Sequence, residues 1–379
     1  MEEEKQVQSI EEDIDLESKE TETKPVNRKK TIGLVFLVIL ISIIVFVVIF
    51  NLNDFNETID EMKKLNASYL GWAGLCIVLY LALWPLSLCL IAKVNKTKAK
   101  FIDSYLIGGS EHFFNAITPF SSGGQPIQGV LYYQDGVNAA ESTGIIMANF
   151  IAFLIATNIF AVASLFYYGR FYVNFTDATR WMIILGFVMN LFTLFFIILM
   201  ATCKAITNFF TKCLRGLSKI KYIGKYIEKG IPAFEKYCDN AQAAFKQIIS
   251  HKWSFVVSIL LRGISLVFYY ATPFYILKAM DLNVPFVELP FIMLASSFAI
   301  TTMVWVPTPG GMGGIEFAFT TIFATFAGVT QSKALTGMVC WRFLTYYLLM
   351  ILSFIMYVIF MIILKKRKKR NDQRIINRE

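Results

Sequence analysis

The sequence predicts an all-α polytopic membrane protein, with about six full spans plus two re-entrant broken-helix hairpins in an inverted repeat. Three observations carry that prediction. Hydrophobic residues make up 56% of the 379, in several runs near the roughly 20 residues that cross ~30 Å of hydrocarbon. Two of these runs are broken by clustered Gly and Pro. Counting Lys and Arg brings the strongly basic segments to one side only if the two broken runs turn back.

Taken in order, residues 1–30 hold ten acids and six bases with little apolar content, and a disordered acidic tail is expected. No cleavable signal peptide is expected, because these residues are polar and the first apolar run is long enough to stay as an anchor. The membrane domain is expected over 31–364, starting with span 1 at Ile32–Phe50 and span 2 at Tyr69–Ala92. Lys93, Lys96, Lys98 and Lys100 follow, placing this loop and the N-terminus inside.

Phe101–Tyr133 is apolar but contains Glu111, His112 and the run Thr118-Pro119-Phe120-Ser121-Ser122-Gly123-Gly124-Gln125-Pro126. It is expected to enter and leave on one side. Span 3 is Ser142–Tyr168, a short loop carries Arg170 and Arg180, and span 4 is Trp181–Thr202. Residues 204–252 carry ten bases and three acids, with Leu214, Leu217, Ile220, Ile223 and Ile227 at helical spacing. They read as amphipathic helices lying on the cytoplasmic leaflet. Span 5 is Trp253–Leu277, interrupted by Arg262.

The second broken run extends from about Leu289 to Ala327 around Pro307-Thr308-Pro309-Gly310-Gly311-Met312-Gly313-Gly314-Ile315-Glu316. At about 1 kcal/mol per Gly and 3 per Pro, no continuous helix survives there. Span 6, Leu335–Leu364, precedes the basic tail 365–379, which opens with Lys365-Lys366-Arg367-Lys368-Lys369-Arg370. Directly after a span, such a run anchors topology and touches anionic lipid, and no nucleic-acid binding is expected. Cys76, Cys89, Cys203, Cys213, Cys238 and Cys340 show no CxxC spacing and read as apolar filler. No metal site, cofactor or nucleotide-binding G-x-x-x-x-G-K-[ST] loop is expected.

The two broken runs resemble each other. Thr118-Pro119, Gly123-Gly124, Gly136-Val137 and Thr143-Gly144 in the first match Thr308-Pro309, Gly310-Gly311 with Gly313-Gly314, Gly328-Val329 and Thr336-Gly337 in the second. Opposite directions of entry make this the inverted-repeat pattern of secondary transporters.

Glycine turns leading into helices expose N–H groups and a positive dipole end, a setting suited to phosphate or carboxylate. The candidates are Gly123, Gly124, Pro309, Gly310, Gly311, Gly313 and Gly314. Charges inside spans cost about 2.5–3.5 kcal/mol each on insertion scales, and Glu111, Arg262, Glu316 and Arg342 are such charges. They pair with each other, or the two arginines bind a lipid phosphate in bidentate fashion. Glu316, in the first turn of its helix, is either neutralised by Arg342 or contacts a cationic or hydroxyl-bearing head. Gln125 and Gln128 share a helix face. They hydrogen-bond headgroup oxygens or satisfy backbone freed by the break, as do Asn115 and Asn149. Glu111 with His112 is the candidate proton relay.

Asn115-x-x-Thr118-Pro119-x-Ser121-Ser122-Gly123-Gly124-Gln125-Pro126-x-Gln128, with Pro307-x-Pro309-Gly310-Gly311-x-Gly313-x-x-Glu316 and Arg342, resembles the lysylphosphatidylglycerol synthase transmembrane (flippase-like) family over roughly 30–364. The resemblance implies a bacterial plasma-membrane lipid translocase, both termini cytoplasmic, that moves an anionic or aminoacylated phospholipid or another lipid-linked head. The substrate site it implies holds Asn115, Thr118, Gly123, Gly124, Gln125, Gln128, Arg262, Pro309, Gly310, Gly311, Gly313, Gly314, Glu316 and Arg342. Full-length transferring members carry a large soluble domain after the membrane region. Here only 15 residues follow Leu364, and no enzyme activity is expected. The alternative is the membrane subunit of a phosphatidylglycerol lysyltransferase-type system, with a separate soluble partner docked on 204–252.

Overall fold

The structure, a computed structural model, describes residues 55–168, 177–218, 224–303, 306, 308–324 and 329–376. The acidic tail, span 1 at Ile32–Phe50, Arg170, Ile220, Ile223, Pro307 and Gly328 lie outside the described residues. The described chain is helical, and its one isolated β-bridge joins Pro119 to Pro309.

Short α1 (Phe55–Lys63) leads to α2 (Ala67–Val94), where Asn66 caps the helix by accepting the Ser68 N–H at 3.0 Å. The first broken run folds as α3 (Phe101–Gly109), α4 (Glu111–Ala116) and, after the break, α5 (Gly124–Gln134). Spans α6 (Ala139–Tyr168) and α7 (Asp177–Thr202) follow, then α8 (Lys204–Leu217) and α9 (Gly224–Ser250). Span α10 (Lys252–Ala279) leads into a 3-10 turn, Phe286–Glu288, and the second broken run, α11 (Leu289–Met303) and α12 (Gly314–Phe323). The last span starts as α13 (Gln331–Arg342), passes through a π-helical segment at Phe343–Leu348, and continues as α14 (Leu349–Ile376).

Six described helices are long and apolar enough to cross a membrane. Five correspond to expected spans 2–6. The other, Phe286–Met303, was expected as the inbound arm of the second hairpin, and its 18 residues just reach spanning length. Rows of exposed apolar residues such as Leu185, Val188, Phe192 and Phe195 on α7 give the bundle a lipid-facing surface.

Side-chain contacts fix the path of each broken run. Arg367 on α14 binds Asp103 at the foot of α3 with two bonds, Nη1 to Oδ2 at 2.7 Å and Nη2 to Oδ1 at 2.8 Å. The same Nη1 reaches Asp135, at the end of α5, at 3.1 Å. One guanidinium therefore holds both feet of the first run, which enters and returns on a single face. The Asn95 amide donates to Glu141 at 2.9 Å, joining the end of α2 to the start of α6 on that face.

On the opposite face, the Asn66 N–H donates to the Ala279 carbonyl at 2.8 Å, so α2 begins where α10 ends. α1 packs on α13 there, so the second run also starts and finishes on one face. The two hairpins enter from opposite faces, the expected inverted repeat. Each belongs to its own core. Ile107, Leu131 and Tyr132 pack with Ile145, Phe245 and Phe360, while Phe298, Phe319 and Phe323 pack with Phe274 and Trp341.

Two segments differ from expectation. α9 does not simply lie on the leaflet: Ala241, Phe245 and Ile248 are buried in the bundle. A Cβ at Gly144 on α6 would come within 2.8 Å of the Ala241 carbonyl, and Gln242 donates to the Met200 carbonyl at 2.9 Å. α8 keeps Phe209, Phe210 and Leu217 exposed, as a leaflet-bound helix would. The tail beyond Leu364 continues as helix to Ile376, and Arg367 is turned inward to the two aspartates instead of toward lipid.

Candidate functional site

The two breaks meet. In the first, Thr118 Oγ1 donates to the Phe114 carbonyl and accepts the Gly123 N–H, both at 2.8 Å. Asn115 Oδ1 accepts the Gly124 N–H at 2.8 Å. Phe120 (φ 56°) and Ser121 (φ 51°) adopt the left-handed conformation that costs residues with a Cβ. A Cβ at Gly124 would lie 2.6 Å from Glu111 Cγ and 2.7 Å from Asn115 Oδ1, so only glycine brings α5 this close to α4.

In the second break, Gly310, Gly311 and Gly313 have φ of 60°, 66° and 86°. Glu316 reaches back so that Oε2 accepts the Gly313 N–H at 2.7 Å. The bridge pairs Pro119 with Pro309. Proline has no N–H, so neither residue donates across the bridge. The glycine turns were expected to leave N–H groups free for an anion. Those of Gly123, Gly124 and Gly313 are instead taken by Thr118, Asn115 and Glu316. Thr118 and Asn115 thus serve as caps, a local answer to the four unpaired N–H groups at a helix start.

The last span holds both breaks. The Tyr346 hydroxyl donates to the Ala116 carbonyl at 2.9 Å, satisfying a group freed by the first break. Four residues earlier, Arg342 Nη2 reaches the Gly310 carbonyl at 3.4 Å. The π segment starts directly after Arg342, and such bulges are frequent at functional sites.

The four intramembrane charges form two buried pairs. Arg342 Nε stands 2.6 Å from Glu316 Oε1, an ion-pair contact along which the N–H is not well aimed. Arg262 Nη2 lies 3.8 Å from Glu111 Oε2, with its guanidinium 3.7 Å over the Trp84 ring. Glu111 Oε2 also accepts from Trp84 Nε1 at 3.0 Å and Gln128 at 3.2 Å, and Oε1 accepts from Gln125 at 3.0 Å. The shared face of Gln125 and Gln128 therefore serves this carboxylate, neither of the two roles expected for it. Asn149 accepts from Ser87 at 3.0 Å, linking α6 to α2.

A cavity of about 270 Å³ opens between the breaks. Glu111, His112, Asn115 and Gln125 line it from the first hairpin, Gly310 and Ile315 from the second, and Arg342, Thr345 and Tyr346 from the last span. Tyr80, Trp84, Tyr269 and Tyr270 complete an aromatic wall. Arg262, Gln128, Glu316 and Gly313 are not among the lining residues. Arg262 stands behind Trp84, and Glu316 behind Arg342. His112 is wedged between Tyr80 and Trp84, ring centres 5.2 and 4.8 Å away, and its Nε2 has no hydrogen-bond partner.

Sequence reasoning did not single out Trp84, Tyr346, Asp135 or the turn of Arg367. The i, i+4 spacing of Arg342 and Tyr346 was the available sign for one of them.

Two broken hairpins that enter from opposite faces and meet beside a cavity define a multi-pass membrane protein of the broken-helix type. The chain belongs to the family described as lysylphosphatidylglycerol synthase TM region, which matches residues 35–353. It is also similar to a UPF0104 membrane protein of Archaeoglobus fulgidus, 24% identical over 319 residues that cover 82% of this chain and 92% of that protein.

Proposed function

We propose that the chain is a lipid translocase that carries a phospholipid or lipid-linked head through the cavity between its two breaks. What carries the reading is the Pro119–Pro309 junction, where hairpins from opposite faces meet beside the cavity-lining Arg342. Arg342 contacts the phosphate, while Glu316 behind it limits the cost of a buried guanidinium. Lipid tails stay in the surrounding hydrocarbon. Rearrangement of one hairpin against the other exposes the head to each face in turn. On this reading the chain moves lipid without altering it covalently.

The test is reconstitution into vesicles with fluorescent phospholipids, reading leaflet distribution by chemical quenching from outside. The expected result is faster redistribution than in protein-free vesicles, lost in Arg342→Gln/Glu316→Gln. Unchanged distribution across several headgroups contradicts the proposal.

A further inference from the structure

The geometry points to an anionic, phosphate-bearing headgroup without an amino group as the cavity's ligand. This rests on the reading above that the cavity holds a lipid head, and it narrows the class of head. Polar groups around the cavity are unevenly committed. Glu111, the one carboxylate among the described lining residues, already accepts from Trp84, Gln125 and Gln128, with Arg262 at 3.8 Å. An arriving ammonium would add a second cation to a carboxylate that a guanidinium already balances. Glu316 is engaged by Gly313 and Arg342 and lies outside the lining. Residues 304, 305 and 307 of the second broken run are Val, Trp and Pro, and add no acid.

The cavity's guanidinium is in the opposite condition. Arg342 lines the cavity with one long hydrogen bond, 3.4 Å to Gly310, and an ion-pair contact whose N–H is not aligned. His112 lines it as well, but its Nε2 is buried away from the cavity and offers no donor there. The first N–H groups of α5 and α12 are already taken by Thr118, Asn115 and Glu316, so Arg342 is the guanidinium that a ligand in the cavity meets. A phosphate's oxygens answer it in bidentate fashion. The cavity, about 270 Å³, falls just below the roughly 300–1,000 Å³ that hold drug-sized ligands.

The experiment titrates the purified full-length chain with short-chain phosphatidylglycerol, its lysyl derivative and inorganic phosphate, reading tryptophan fluorescence, since Trp84 lines the cavity. Phosphatidylglycerol is expected to bind about tenfold or more tightly than the lysyl lipid, and Arg342→Gln/Glu316→Gln should lose that preference. Equal or tighter binding of the lysyl lipid overturns the inference and leaves the translocase reading standing. A preference that survives in the double variant overturns the assignment of the phosphate to Arg342. Inorganic phosphate binding as tightly as the lipid keeps the phosphate site but removes the lipid reading. Binding of none of the three overturns both. The wild-type comparison decides between the headgroups even if the variant fails to fold.

Discussion

Arg342 and Glu316 set the terms at the scale of single residues. Removing one member of a buried pair leaves an uncompensated charge and costs about 3–5 kcal/mol, whereas removing both is often neutral. Arg342→Gln alone should therefore lower the melting temperature of the purified protein sharply, and adding Glu316→Gln should restore most of it. Melts of the two variants in the same detergent check this. Gly310 offers a second test. Its φ is 60°, and a Cβ at this position would collide with the Tyr346 ring, so no side chain fits. Gly310→Ala should destabilise by more than the roughly 1 kcal/mol of an ordinary glycine substitution, seen as a lower melting temperature. The four charges were legible in the sequence because each interrupts an apolar run. Their pairing was not: Glu111 and Arg262 belong to different halves of the repeat, and nothing local in the chain brings them together. Trp84 and Tyr346 were hidden among an aromatic content of 15%.

At the scale of elements, the first hairpin is pinned at both feet by Arg367. Asp103 is fully buried, so Arg367→Ala should cost about 3 kcal/mol, the lower end for breaking a buried pair, since the arginine side chain is itself 27% exposed. Thermal melting reads the loss. Burial and then the neighbouring Asp103 push the Asp135 carboxyl from 3.8 up to about 6, against Arg367 and Lys100. The fold thus favours protonated Asp135. That contribution is fully present below 3.8 and lost as pH rises through about 6. Asp135→Asn should flatten this fall in stability with rising pH, and parallel pH profiles for wild type and variant would refute the assignment. Both hairpins were legible from their Gly and Pro clusters, which no continuous helix tolerates. The docking of α9 was not. Amphipathic spacing says that one face is apolar and leaves open what covers it, and Gly144 stands out in the sequence only as a repeat match.

At the scale of the whole molecule, the inverted repeat places the 93–100 loop, α8, α9 and Arg367 on one face, away from Asn66 and Ala279. By the bias of Lys and Arg this face should be cytoplasmic. Cys213, exposed on α8, is the probe: in a background without the other cysteines, it should react with an impermeant maleimide only after the cells are opened. The architecture was readable from sequence because charge bias and broken runs constrain topology jointly. The junction of the two breaks depended on long-range packing through the last span, which no local pattern encodes. The most direct measurement is cryo-EM density for the protein in phosphatidylglycerol nanodiscs. A headgroup between the breaks, its phosphate against Arg342, is the expected result. Lipid density confined to the outer belt, with none between the breaks, would contradict the translocase reading.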